Sequence, residues 1–250
     1  MPSAFIQLLL PAECLLCRGL LAFHQSEAIV CPACRTRWRP VRPPLCSRCG
    51  QPGPHFGQCR ICPSWPSGLV AVRSAVWLDA GARAAVHALK YGGLSRIAED
   101  LAEVMVRWLP LPDESSALVP IPLGAKRLRR RGYNQSASLA QALGRRWGRR
   151  VRDDLLVRCR ETATQTALTP AARLANVAGA FRMRNGECGT RNTPGENHSA
   201  FRNPHSALVL VDDVFTTGAT LAEAARVLTE AGAGPISAVT FGRATIPNFI

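Results

Sequence analysis

The chain has 250 residues, 47% of them hydrophobic, which excludes global disorder and leaves room for one sizeable α/β core or a small module beside a medium domain. Its formal net charge is +14, carried almost wholly by arginine, since Lys90 and Lys126 are the only lysines. Such a charge fits an anionic partner such as nucleic acid or phosphate, and equally a composition that favours arginine throughout. No apolar run is long enough to cross a bilayer, which argues against a membrane partner. Residues 5–10 are apolar but short, with no basic residue before them and no small-residue cleavage site after them, so no signal peptide is expected. A cytoplasmic location with reduced thiols is the resulting expectation.

Residues 1–66 hold eight of the ten cysteines, in four Cys-x-x-Cys pairs: Cys14/Cys17, Cys31/Cys34, Cys46/Cys49 and Cys59/Cys62. Thirteen residues separate the first pair from the second, and nine separate the third from the fourth. A Cys-x-x-Cys turn sets two thiolates on one face of a knuckle, and two knuckles close a tetrahedral zinc site. Four pairs therefore imply two structural zinc ions. Sequential pairing needs only short loops, and interleaved pairing also satisfies the spacing. Iron–sulfur ligation and disulfides use the same residues. His24 and His55 lie near the knuckles and read as surface histidines, and Cys159 and Cys188 read as isolated thiols. The module has too little apolar content to fold without metal. Cys14→Ser is then expected to unfold it and to spare the α/β core.

Pro63, Ser64, Pro66 and Ser67 read as a linker. From Val70 the pattern turns α/β. Residues 70–76 form a predicted strand. Ala82, Ala85, Val86 and Leu89 recur at helical spacing up to Gly92 and Gly93. A second helix is expected to place Ile97, Leu101, Val104, Met105 and Trp108 on one face, stopped by Pro110 and Pro112. Residues 117–120 read as a short buried strand entering a proline-rich loop, and residues 136–147 as a helix. Residues 184–205 are polar and unpatterned and read as an exposed, mobile loop. Residues 208–211 make another buried strand. Leu221, Ala224, Ala225 and Leu228 mark a helix ending near Gly232, and residues 236–241 a last strand. Strands alternating with helices imply a mostly parallel sheet with helices on its faces.

The chemistry concentrates after the strand at residues 208–211. Asp212 and Asp213 fall at the carboxyl edge of the sheet, where open α/β folds bind ligands. Thr216, Thr217, Gly218, Ala219 and Thr220 then open a helix, whose free N–H groups and dipole suit a phosphate. Gly218 lets backbone approach closely. Two acids cannot favour a phosphate, but they suit neutral hydroxyls such as a ribose diol, or a metal. Residues 126–152 carry ten basic residues and no acid. Arg127, Arg129, Arg130 and Arg131 are expected to serve an anionic ligand by bidentate contacts. Arg145, Arg146, Arg149, Arg150 and Arg152 read better as the solvated end of a helix.

The string from Val209 to Thr220 resembles the motif by which type I phosphoribosyltransferases bind phosphoribosyl pyrophosphate (PRPP). Val119, Pro120, Ile121 and Pro122 resemble that family's pyrophosphate loop. Arg131, Gly132, Tyr133, Asn134 and Gln135 come next, then Thr164, Gln165, Arg173 and Asn176. With the cysteine pairs in front, this order is similar to the ComF family, associated with DNA uptake, and the resemblance covers nearly the whole chain. Residues 184–205 depart from it as an added loop. The resemblance implies a double zinc ribbon over residues 1–66 and a phosphoribosyltransferase-type α/β domain over residues 67–250. It further implies that Asp212 and Asp213 hold the ribose hydroxyls, that residues 216–220 cradle the 5′-phosphate, and that Pro120, Pro122 and Arg131 face pyrophosphate. Magnesium would arrive with PRPP. The chain is then a PRPP-binding phosphoribosyltransferase-like protein, and an enzymatic role is one reading. The other is a non-enzymatic accessory protein that binds single-stranded DNA or a DNA-uptake helicase, with a vestigial or regulatory PRPP site.

Overall fold

The computed structural model describes residues 11–25, 27–53, 59–161, 175–184 and 207–245. In chain order the elements are a 3-10 turn (Phe23–Gln25), α1 (Pro32–Thr36), β1 (Leu69–Trp77), α2 (Ala80–Tyr91), α3 (Ile97–Trp108), β2 (Ala117–Pro120), α4 (Ala125–Arg131), α5 (Gln135–Trp147), β3 (Leu156–Arg158), β4 (Phe181–Met183), β5 (Leu208–Phe215), α6 (Ala219–Glu230) and β6 (Ile236–Arg243). Strands β1, β6, β5 and β2 pair in that order, all parallel. β3 and β4 form a separate antiparallel pair.

Side chains alternate across a strand, so β5 feeds two cores. Val209 and Val211 face α2, α3 and α5, and Leu208 and Leu210 face α6 with Leu156 and Phe181. This two-sided burial explains why the strand is a continuous apolar run. Local signals set the helix ends. The Asp79 carboxylate accepts from Ala82 N at 2.9 Å and starts α2, and Gly92 ends it. The Asn134 side chain accepts from Ser136 N at 3.1 Å and starts α5, while Gly148, at φ 65°, stops it.

The cysteine-rich segment wraps the outer side of β1. Residues 39–41 run antiparallel to it, with Val41 N donating to Ala75 O at 3.0 Å and Trp77 N to Arg39 O at 2.8 Å. The first half of the segment packs on the α2–α3–α5 face, where Trp38 meets Phe241 edge-on at 5.1 Å. Buried Asp100 of α3 accepts Ile29 N and Val30 N, both at 2.8 Å, and Arg35 at 3.0 Å. The second half packs on the α6 face. At the opposite side of the sheet, Leu118 of β2 bridges Val151 in parallel, through Leu118 N to Arg150 O and Arg152 N to Leu118 O, each 2.8 Å.

Several sequence expectations change. The stretch read as a linker is clamped: Arg48 donates to the carbonyls of Leu69, Cys62, Trp65 and Pro66 at 2.7 to 3.1 Å, and Trp65 is buried. Trp108 leaves the apolar face of α3, 43% exposed, with the Arg42 guanidinium 5.4 Å above its ring. The loop after β2 contains α4, and β3 and β4 are additions that no periodicity announces. The expectations on residues 5–10, His55, Thr164, Gln165, Arg173 and Cys188 lie outside the described residues, as does nearly all of the loop expected at 184–205. Among the described residues no helix is long and apolar enough to cross a membrane.

Candidate functional site

The cysteines gather in sequential order. Cys14, Cys17, Cys31 and Cys34 form one group and Cys46, Cys49, Cys59 and Cys62 the other, with the sulfurs of each group within 4.8 Å of one another. Cys17 and Cys31 sulfurs stand 3.8 Å apart, Cys46 and Cys62 3.8 Å, and Cys49 and Cys59 3.4 Å. A tetrahedron with zinc–sulfur bonds of about 2.3 Å has sulfur–sulfur edges of about 3.8 Å. A disulfide requires about 2.05 Å. Both groups therefore fit a mononuclear tetrathiolate, two structural zinc ions in all.

Backbone N–H groups favour the thiolate at one cysteine of each group, Cys14 and Cys46. Leu16 N and Cys31 N point at Cys14 Sγ at 3.4 and 3.3 Å. Burial alone would raise the Cys14 thiol, but backbone N–H donors outweigh it and bring it down to about 6. Cys46 is brought down to about 7 by the same contest, whereas burial pushes Cys34 up to about 12. Cys159 joins neither group among the described residues.

The second centre of chemistry lies at the carboxyl edge of the sheet. β5 runs beyond its apolar pattern, so Asp212 and Asp213 sit inside the strand, and both find side-chain partners on the α2–α5 side of the sheet. Ser136 Oγ donates to Asp212 Oδ1 at 2.8 Å, and Asp213 N donates to the same oxygen at 2.9 Å. Lys90 Nζ, from the last turn of α2, lies 2.9 Å from Asp213 Oδ1. Burial, and then the Asp213 charge, push the Asp212 carboxyl up to about 7 against these favourable contacts. Burial would lower the Lys90 ammonium, but Asp213 outweighs it and raises it.

Beyond the acids, Asp212, Thr216, Gly218, Ala219 and Thr220 line a hollow together with Val214, Phe215 and Leu221. Gly218 has φ 77°, and a Cβ there would meet the Trp65 ring at 2.3 Å, so only glycine fits. Two buried oxygens, Asp213 Oδ2 and Thr217 Oγ1, have no hydrogen-bond partner among the described residues. β2 pairs with β5 in the register Pro120 to Val211, and Ile121 N donates to Val211 O at 3.0 Å. This brings buried Pro120 and half-buried Pro122 beside the acids. Arg131 ends α4, hydrogen-bonds Gln135 and lies 5.2 Å over the Tyr91 ring, one residue from Lys90.

The two basic clusters differ. Arg129 and Arg130 are exposed and have no acidic partner among the described residues. Arg145 and Arg146 pair with Glu99, Arg149 donates to Pro112 O at 2.8 Å, and Arg152 pairs with Asp154 at 2.7 Å. Arg145, Arg146 and Arg149 thus tie the end of α5 to α3 and to the loop before β2, Arg152 pairs within its own loop, and Arg150 stays exposed, as a solvated helix end would. Sequence reasoning misses Lys90, Ser136 and Arg158, whose charge feels both Arg127 and Asp212. Lys90 leaves one signal: it is one of only two lysines in an arginine-rich chain, at a helix end before two glycines.

A family model for the double zinc ribbon domain matches residues 5–63. The chain is 34% identical over 242 residues to the DNA utilization protein YhgH of Salmonella typhi, covering 92% of this chain and 96% of that protein. Identity to YhgH of Escherichia coli (strain K12) is 31% over 243 residues, with the same coverage. Competence protein ComFC of Bacillus subtilis (strain 168) is 27% identical over 257 residues, with 92% of this chain and 94% of that protein covered. With its two tetracysteine groups in front of a mostly parallel α/β sheet, the chain belongs to the ComF family.

Proposed function

We propose that the chain binds PRPP, or another ribose phosphate, at the carboxyl edge of its sheet and serves the uptake or use of DNA. The observation that carries the ligand reading is the pair of buried oxygens without partners among the described residues, Asp213 Oδ2 before the Thr/Gly turn and Thr217 Oγ1 within it. Buried polar groups are nearly always paired, so two orphans within five residues at this edge call for a polar partner, and their chain neighbours Asp212, Thr216 and Gly218 line the hollow. Ribose hydroxyls donate to Asp212 and Asp213, and the 5′-phosphate accepts from Thr217 and the backbone N–H groups opening α6. Pro120, Pro122 and Arg131 face the pyrophosphate, and magnesium enters bound to it. The role in DNA rests on relatives named DNA utilization protein and competence protein.

The reaction such a site supports is displacement of pyrophosphate from the ribose by a nitrogen nucleophile. Positioning and charge stabilisation of the leaving group carry most of the catalysis. For DNA binding, direct to a single strand or through a helicase, we assign the α4 face, where Arg129 and Arg130 are open to solvent. Eight thiolate ligands suit a reducing, cytoplasmic setting.

Calorimetric titration with PRPP, with and without magnesium, tests the ligand. Binding is expected to the wild type and to vanish in Asp212→Ala/Asp213→Ala. Unchanged affinity in the double variant overturns the assignment. For DNA, neutralising Arg129 and Arg130 is expected to flatten the log–log salt dependence of single-strand binding by about 0.7 for each phosphate no longer held.

A further inference from the structure

The two cysteine centres are not equivalent with respect to the phosphate turn. The first packs against α3 on one face of the sheet, through Arg35 and Asp100. The second lies on the other face, and two side chains connect it to the turn. Arg243, the last residue of β6, is 1% exposed. Its guanidinium donates to Cys49 O at 3.0 Å and to Gln51 Oε1 at 2.8 Å, and packs 4.1 Å over the Phe215 ring. Phe215 is the residue immediately before the turn. Trp65, three residues after Cys62, meets Phe215 at 6.1 Å and fills the space where a side chain at Gly218 would stand.

Among the described residues no carboxylate pairs with Arg243. A buried guanidinium needs a counter-charge. A divalent zinc ion held by four thiolates carries a net charge of minus two, and Arg243 sits against the carbonyl of one of its ligands.

We infer that the second cysteine centre shapes the phosphate turn through Arg243 and Trp65, so that zinc occupancy there is a condition for ribose-phosphate binding. Both are positioning residues. With the knuckle closed, Cys49 O and Gln51 hold Arg243, Arg243 holds Phe215, and Trp65 walls the turn at Gly218. With the knuckle open, Arg243 loses its acceptors and its counter-charge together, and the turn loses its support. The binding arm of this inference rests on the ribose-phosphate reading, and the exchange arm does not.

The test uses the full zinc-loaded chain with three readouts: zinc content, amide hydrogen exchange over residues 214–220, and calorimetric titration with ribose 5-phosphate. Arg243→Gln is expected to keep both zinc ions, speed exchange across the turn about tenfold and weaken ribose 5-phosphate about tenfold, the order expected when a site's supporting shell loosens. Trp65→Leu should act in the same direction without touching the buried charge. Arg243→Lys, which keeps the charge, should recover part of the loss. Arg35→Gln, at the first centre, is expected to lower the thermal midpoint and leave exchange of the turn unchanged. Unchanged exchange in both Arg243→Gln and Trp65→Leu overturns the inference, as does equal acceleration in Arg35→Gln. If the wild type does not bind ribose 5-phosphate, the ligand reading falls while the exchange data still decide the coupling.

Discussion

Asp212→Asn is expected to stabilise the folded protein while it weakens the ribose contact proposed for this carboxylate. In the folded chain the Asp212 carboxyl is pushed from 3.8 to about 7, by burial first and the Asp213 charge second. A raised carboxyl means that the folded state holds a proton which the unfolded state releases. Its charged form therefore costs nothing below the unfolded value, costs progressively more as pH rises from about 4 to about 7, and reaches its full cost above that. The whole gap corresponds to about 4 kcal/mol. Asp212 is half-buried, so solvent screening brings the figure to about 1–3 kcal/mol. Asparagine keeps the acceptor oxygen for Ser136 Oγ and Asp213 N, and leaves the Lys90–Asp213 pair in place. Denaturant unfolding of both proteins between pH 4 and 8 measures the difference, and effects common to both cancel. The variant should gain about 1–3 kcal/mol at pH 8, about 2–12 °C in midpoint for a chain of this size, with the gain fading towards pH 4. A gain independent of pH, or none at pH 8, would refute the electrostatic argument.

Three other perturbations test the packing. Cys14→Ser should reduce zinc from two ions to one per chain and lower the unfolding midpoint of the whole protein, because Cys14, Val30 and Trp38 share one core with Val76 and Phe241. An unchanged near-ultraviolet transition of the α/β part would contradict this and restore the independent module expected from composition. Asp100→Ala strips two backbone N–H groups of their acceptor and leaves Arg35 paired with Glu103 alone, a loss of about 2–4 kcal/mol by chemical denaturation. Gly218→Ala drives a methyl into the Trp65 ring at a left-handed backbone position; about 2–4 kcal/mol of lost stability and abolished PRPP titration are expected.

What can be read in the sequence is what depends on local pattern. Apolar periodicity places β1, α2, α3, β2 and α6 within a residue or two, because glycine and proline mark their ends. Cysteine spacing locates both metal sites, although only the structure chooses sequential pairing. The failures share a cause. α4 offers one apolar residue longer than alanine, exposed Leu128, among five basic ones, so no periodicity betrays it. β3 and β4 are three residues each and exist by pairing with one another across the chain. Prolines and serines at residues 63–67 report backbone preference and say nothing of the buried Trp65 between them. Lys90 and Asp213 are 123 positions apart, so their ion pair belongs to the fold alone.

The segment lying along β1 has a consequence for how the protein can be divided. An open sheet ends in rows of unpaired N–H and C=O groups, which invite strand addition from another chain. Residues 39–41 occupy one such row and residues 150–152 part of the other, both with donors and acceptors drawn from the same polypeptide. A fragment beginning at residue 67 would uncover Ala75 O and Trp77 N together with the apolar surface beneath Trp38. It would be a sticky template in place of an autonomous domain. The cysteine-rich segment thus keeps the sheet from recruiting its neighbours, whether or not any ligand is bound.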